Sequence, residues 1–115
     1  MIANNKAILE EANAHVAEGN YEGFLSFCTH DTEWTFVGDR TLKGKEAVRQ
    51  YMATMYIEPP KFTVTNLIAE GDFLTVLGEI TIKDEDGEET HSSYCDVWRF
   101  HDGKIAQLKA FVIRT

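Results

Sequence analysis

Apolar residues recur along this chain with two different periods, helical in the first half and alternating in the second. Between Asn4 or Asn5 and Glu18, the residues Ile8, Leu9, Ala12 and Val16 share one helical face, and Gly19-Asn20 supplies a left-handed exit. Tyr21 to Cys28, with Phe24, Leu25 and Phe27, predicts a second short helix. "THDTEWTFVGD" opens on turn residues and becomes a strand over Glu33 to Val37. Helical spacing returns from Lys45 to Met55, where Val48, Tyr51, Met52 and Met55 form one stripe. Pro59-Pro60 closes that helix, because neither proline can donate a backbone hydrogen bond.

The rest of the chain reads as strands, approximately Lys61 to Glu70, Phe73 to Lys83, Thr90 to His101 and Lys104 to Arg114. "EGD", "EDGE" and "HDGK" are turn chemistry, and together they predict an antiparallel meander. With Asp86-Gly87 as a two-residue hairpin loop, Asp96 lies opposite Leu77 and diagonal to Glu79. Alternation puts Ser92, Tyr94, Asp96, Trp98 and Phe100 on one face, an acid among rings. In the last strand both rows are semi-apolar: Ala106, Leu108, Ala110 and Val112 on one side, with Phe111 and Ile113 on the other. Both faces of the sheet must therefore cover something. Helices on one side and a second copy of the chain on the other satisfy that requirement. The order of the elements predicts an α+β fold.

At 115 residues, 43% hydrophobic and 26% charged, the chain predicts one domain, 1–115, with one core. The N-terminus has neither the basic region nor the apolar run of a signal peptide, which predicts a cytoplasmic protein. Nineteen acidic residues against eleven basic ones give a net charge of −8, which repels phosphate backbones and anionic membrane surfaces. No nucleic-acid or membrane partner is expected. "KDEDGEE", residues 83–89, reads as a solvated hairpin tip. Cys28 and Cys95 lack CxxC spacing and read as free thiols, and no histidine pairs with another at metal-ligand spacing. Neither a metal nor a cofactor is expected.

"GDRTLKGKEAV" and "DVWRFHDGKI", with the helix and Gly-Asn turn before them, resemble the SnoaL-like and ketosteroid-isomerase-like branch of the nuclear transport factor 2-like superfamily over essentially the whole chain. The resemblance implies a cone-shaped α+β barrel, with three N-terminal helices packed in the concave face of a curved, mostly antiparallel sheet. It also implies a deep pocket and often a homodimer through the back of the sheet. Asp96 stands where the isomerases keep a protonated acid that donates a hydrogen bond to the substrate oxyanion. An apolar pocket disfavours the charged carboxylate and raises its pKa. The sequence departs from the isomerases elsewhere: their general-base aspartate falls on Thr35 and their oxyanion tyrosine on Ala12.

Two functions fit these residues. In the first, a small enzyme of isomerase, cyclase or lyase type acts on an apolar or aromatic carbonyl compound, with Asp96 as acid. Glu79 shares its proton, and His15 is a candidate base on the inner side of the first helix. Trp34, Thr35, Tyr51, Met55, Leu77, Tyr94, Trp98, Ala110 and Val112 are the candidate pocket lining. In the second, the chain is a dimeric module that binds a hydrophobic molecule without chemistry, or whose pocket is packed shut. A cavity holding Asp96 and a second titratable group favours the enzyme. Arg40 and Lys43 flank a segment that reads as a loop able to cover the pocket.

Overall fold

A computed structural model describes residues 4–115. Three helices, α1 (Asn5–Ala17), α2 (Tyr21–Leu25) and α3 (Lys45–Met55), pack on one face of a six-stranded sheet built from β1 (Cys28–Phe36), β2 (Arg40–Lys43), β3 (Lys61–Glu70), β4 (Phe73–Lys83), β5 (Glu89–His101) and β6 (Lys104–Arg114). The strand order is β2-β1-β6-β5-β4-β3. The run β3 to β6 is an antiparallel meander, β1 joins β6 in parallel, and the sheet curls without closing, leaving β2 and β3 as edges.

The helices begin and end for local reasons. Asn4 caps α1 by accepting from the Ala7 N–H at 3.1 Å, and Asn20 caps α2 by accepting from the Gly23 N–H at 3.0 Å. The second helix is shorter than its sequence predicts. It stops at Leu25 because the chain from Cys28 onward is already pairing with Ile105 of β6. The Thr32 hydroxyl, fully buried, donates to the Ile105 carbonyl at 3.1 Å and helps fix the start of β1 against that strand. Leu9, Ala12 and Val16 of α1, Phe24 and Leu25 of α2, and Val48 and Met52 of α3 bury themselves on the sheet. Arg49 of α3 holds Glu22 of α2 through two hydrogen bonds, at 2.7 and 3.1 Å, and so ties the two helices together at the surface.

Two expectations change here. The segment holding Arg40 and Lys43 is not a free loop: it is β2, paired with β1 from Phe36↔Arg40 to Glu33↔Lys43. The β4–β5 hairpin also differs by one residue. Asp84 and Glu88 close a three-residue loop, with Asp84 N–H donating to the Glu88 carbonyl at 2.9 Å and the Asp84 carboxylate accepting from the N–H groups of Asp86 and Glu88. Gly87 takes the left-handed conformation (φ 82°) that this loop requires. A one-residue slip exchanges the faces of the partner strand. Asp96 therefore pairs with Val76, and Leu77 and Glu79 pair with Cys95 and Ser93 on the outer face.

Candidate active site

The register stacks the inner face into layers. The deepest is Leu74, Trp98, Leu108 and Trp34, neighbours across four strands and all at most 5% exposed. The middle layer is Val76, Asp96, Ala110 and Phe36, and the outer one is Gly78, Tyr94 and Val112. Small side chains in the middle layer leave a hollow that the helices roof with Val16, Phe24, Tyr51 and Met52. The result is a cavity of about 300 Å³, with Tyr56, Pro60, Phe62, Ile80 and Ile82 completing its apolar wall.

The floor is an aromatic cluster. Trp34 meets Phe24 and Trp98 edge-on at 5.6 and 5.7 Å between ring centres. Its indole N–H is buried without a hydrogen-bond partner among the described residues. Higher up, Tyr51 stacks on Phe36 at 4.9 Å and Arg40 lies 5.9 Å above the Tyr51 ring. Tyr94 crosses Gly78, the residue directly opposite. A side chain on Gly78 would stand 2.8 Å from the Tyr94 hydroxyl, so this strand position needs glycine for space.

Asp96 sits midway down this wall. Among the described residues no side-chain hydrogen bond reaches its carboxyl group, and burial pushes its pKa from 3.8 up to about 7. The neutral acid, a donor, thus stays substantially populated up to about pH 7. The phenols around it respond in the same direction. Burial pushes Tyr94 up to about 12, with the charge of Asp96 adding to the rise, and Tyr51 and Tyr56 are raised by burial first and by Asp96 as a lesser cause. All three hydroxyls therefore lie within the electrostatic reach of one carboxyl group, and all stay protonated.

Of the residues singled out in the sequence, Trp34, Tyr51, Tyr94, Asp96, Trp98, Ala110 and Val112 line this cavity. Five do not. Glu79 and Leu77 are on the outer face, for the register reason above. Thr35 alternates with Trp34 and Phe36, points away from them, and meets the Thr41 hydroxyl at 3.2 Å. His15 is turned to Asn20 at 3.3 Å and to the Phe27 ring, while Ala12 and Val16 take the inward positions of α1. Met55, in the last turn of α3, lines a separate shallow hollow with Arg40 and Leu42. Two polar lining residues were not foreseen: Asn13 on α1, and Asp39 in the β1–β2 turn. Both belong to segments whose polar residues read as surface.

The SnoaL-like domain profile matches residues 9–108. The chain belongs to the SnoaL-like domain family. No curated protein matches it. Among solved structures, this SnoaL-like chain superimposes with a TM-score of 0.86 on SalBIII, described as an epoxide hydrolase/cyclase-like enzyme in pyran ring formation of salinomycin. The two are 21% identical, over 94% of this chain and 89% of that one. TerC, co-crystallised with polyporic acid, gives a TM-score of 0.79 at 19% identity, covering 93% and 89%. An NTF2-like protein of unknown function from Cytophaga hutchinsonii gives 0.76 at 23% identity, covering 96% and 100%. At these identities the likeness establishes the fold, an open α+β cone. No helix among the described residues is long and apolar enough to cross a membrane.

Proposed function

We propose that this SnoaL-like protein binds a small apolar or aromatic carbonyl compound and converts it by acid/base chemistry of isomerase, cyclase or lyase type, with Asp96 as neutral acid and hydrogen-bond donor. The observation that carries this reading is a carboxyl group without a protein partner, facing an apolar cavity that favours its protonated form. A protonated acid offers its O–H to a carbonyl oxygen and strengthens that bond as negative charge develops there. Rings above and below supply contact area for a flat molecule. A volume of about 300 Å³ is at the small end of ligand cavities, which suits a ligand of one or two rings. SalBIII, an epoxide hydrolase/cyclase-like enzyme of the same fold, supports this class of chemistry.

Anionic metabolites fit poorly. Among the described residues no lysine or arginine lines the cavity, so a phosphate inside it would lose its hydration without a cation to replace it. A thermal-shift screen of planar aromatics and enones against nucleotides and sugar phosphates tests the assignment, repeated on Trp98→Ala and Asp96→Ala. Aromatic hits weakened by both substitutions are expected. Stabilisation by the phosphates, or hits unchanged by either substitution, would place the ligand elsewhere.

A homodimer through the outer face of the sheet is part of the proposal. Ile68 (57% exposed), Leu77 (36%), Phe111 (42%) and Ile113 (70%) lie on that face, which is more apolar than a solvated sheet surface needs to be.

A further inference from the structure

One polar group at the cavity has no part in the chemistry above. The indole N–H of Trp34 is buried without a hydrogen-bond partner among the described residues, on a side chain that is only 3% exposed and lines the cavity floor. We infer that this N–H is a second ligand-binding donor, and that the compound held here carries an acceptor oxygen at each end, one for Asp96 and one for Trp34. The inference rests on the function proposed above and narrows its substrate class from a simple ketone to a flat compound with two oxygens set apart.

A buried N–H that gives up water without gaining an acceptor destabilises a fold, so native cores keep few of them. A phenyl ring at position 34 would supply edge-on contacts without that cost. Around Trp34 the packing is carbon: Phe24 and Trp98 meet it at 5.6 and 5.7 Å, Phe36 at 6.5 Å, and Leu42 and Leu108 are its strand partners. The protein offers the indole no acceptor, and the cavity is the side from which one can come.

The register sets how far apart the two donors stand. Trp34 pairs with Leu108 of β6, and Asp96 pairs with Ala110, the next inward residue of the same strand. They occupy opposite corners of a block two strand spacings wide and one layer deep, about 12 Å apart at the backbone. Between them is Ala110, the smallest residue of the middle layer. Once both side chains reach inward, the gap left suits one substituted ring. The two donors also differ in role. The Asp96 O–H is a proton that acid chemistry can move, whereas the indole N–H only donates, at every pH. Trp34 is therefore a specificity residue: a ligand ending in carbon at the floor leaves its N–H unpaired, and sites built to hydrogen-bond an oxygen discriminate against analogues lacking it.

The test compares 1,4-diacetylbenzene with 4-isopropylacetophenone, which are close in shape and differ by one carbonyl oxygen. Calorimetric Kd values of both, on wild type and on Trp34→Phe checked for folding by circular dichroism, give the preference for the diketone. That preference is expected to fall about tenfold in Trp34→Phe. A second readout uses wild type itself. The chain has two tryptophans, so nitrogen-labelled protein shows two indole N–H signals in NMR, assigned from Trp34→Phe or Trp98→Phe. The Trp34 proton is expected to move downfield when the diketone binds and to stay in place with 4-isopropylacetophenone. A Trp34 signal unmoved by bound diketone, as when the N–H rests on the ring face of Phe24 or Trp98, overturns the inference and leaves the proposed function standing. An unchanged preference in folded Trp34→Phe does the same. Wild type that binds neither ketone overturns the proposed function and this inference with it.

Discussion

Replacing Asp96 by asparagine should stabilise the protein, and by an amount that depends on pH. The folded-state pKa of about 7 lies above the ordinary value of 3.8, so folding favours the protonated acid. Below about pH 3 the group is protonated in both states and costs nothing. As pH rises, the unfolded chain ionises first, and the penalty on folding grows until the folded pKa is passed, then levels off. About three powers of ten in proton affinity correspond to a ceiling of about 4 kcal/mol. Water reaching the cavity reduces this, so about 2–3 kcal/mol is the working expectation at pH 8. Asparagine carries no such penalty and matches the shape of the acid. For a chain of this size that is a rise of about 10 °C in Tm at pH 8, shrinking to a small remainder near pH 4. Calorimetric melts of wild type and Asp96→Asn between pH 4 and 8 make the comparison. A destabilised variant at pH 8, or a difference that does not vary with pH, would refute the reasoning and mark Asp96 as an ionised structural acid.

Three further outcomes follow from packing and burial. Gly78→Ala should cost about 1–3 kcal/mol in urea unfolding, because a methyl group there meets the Thr63 carbonyl and the Tyr94 hydroxyl; an unchanged midpoint would mean that Tyr94 does not lie over Gly78. Ile113→Lys should turn a dimer into a monomer in sedimentation at micromolar concentration without lowering the melting temperature of the isolated chain; a wild-type monomer would remove the outer face from the account. Cys28, buried with its thiol pushed up to about 11, should resist alkylation at pH 8 until the protein unfolds, and rapid labelling of the native protein there would contradict the burial of the α2–β1 junction.

Much of the fold is legible in the sequence. The bounds of α3 and of the four C-terminal strands emerge within about a residue, because proline, glycine and aspartate punctuate them and their apolar periods are unbroken. Where side chains do not alternate cleanly, the sequence says less. β2 has four residues, none of them buried, and pairs at a sheet edge, so it has no pattern to read. The polar stretch Thr29 to Asp31 hides the start of β1. In the site, Asp96, its neighbouring rings and the small Ala110 follow from strand parity within β5 and β6. Glu79 and Leu77 do not, because their face depends on a hairpin loop of three residues where Asp-Gly alone suggests two. That difference comes from the Asp84 carboxylate accepting two backbone bonds, a contact that no dipeptide rule contains. Asp39 is hidden for a related reason: a carboxylate beside Gly38 in a turn reads as turn chemistry, and only the curl of the sheet brings it to the mouth of the cavity.

Asp96 keeps its proton far above the ordinary carboxylate range, up to about pH 7, inside a ligand cavity, and the most direct measurement is the carboxyl-carbon NMR titration of aspartate-labelled protein, with Asp96→Asn identifying the resonance. The predicted result is a midpoint near 7, well above the ordinary value of 3.8, and an upward move when a planar ketone occupies the cavity. A midpoint below about 5, unchanged by any such ligand, would contradict it.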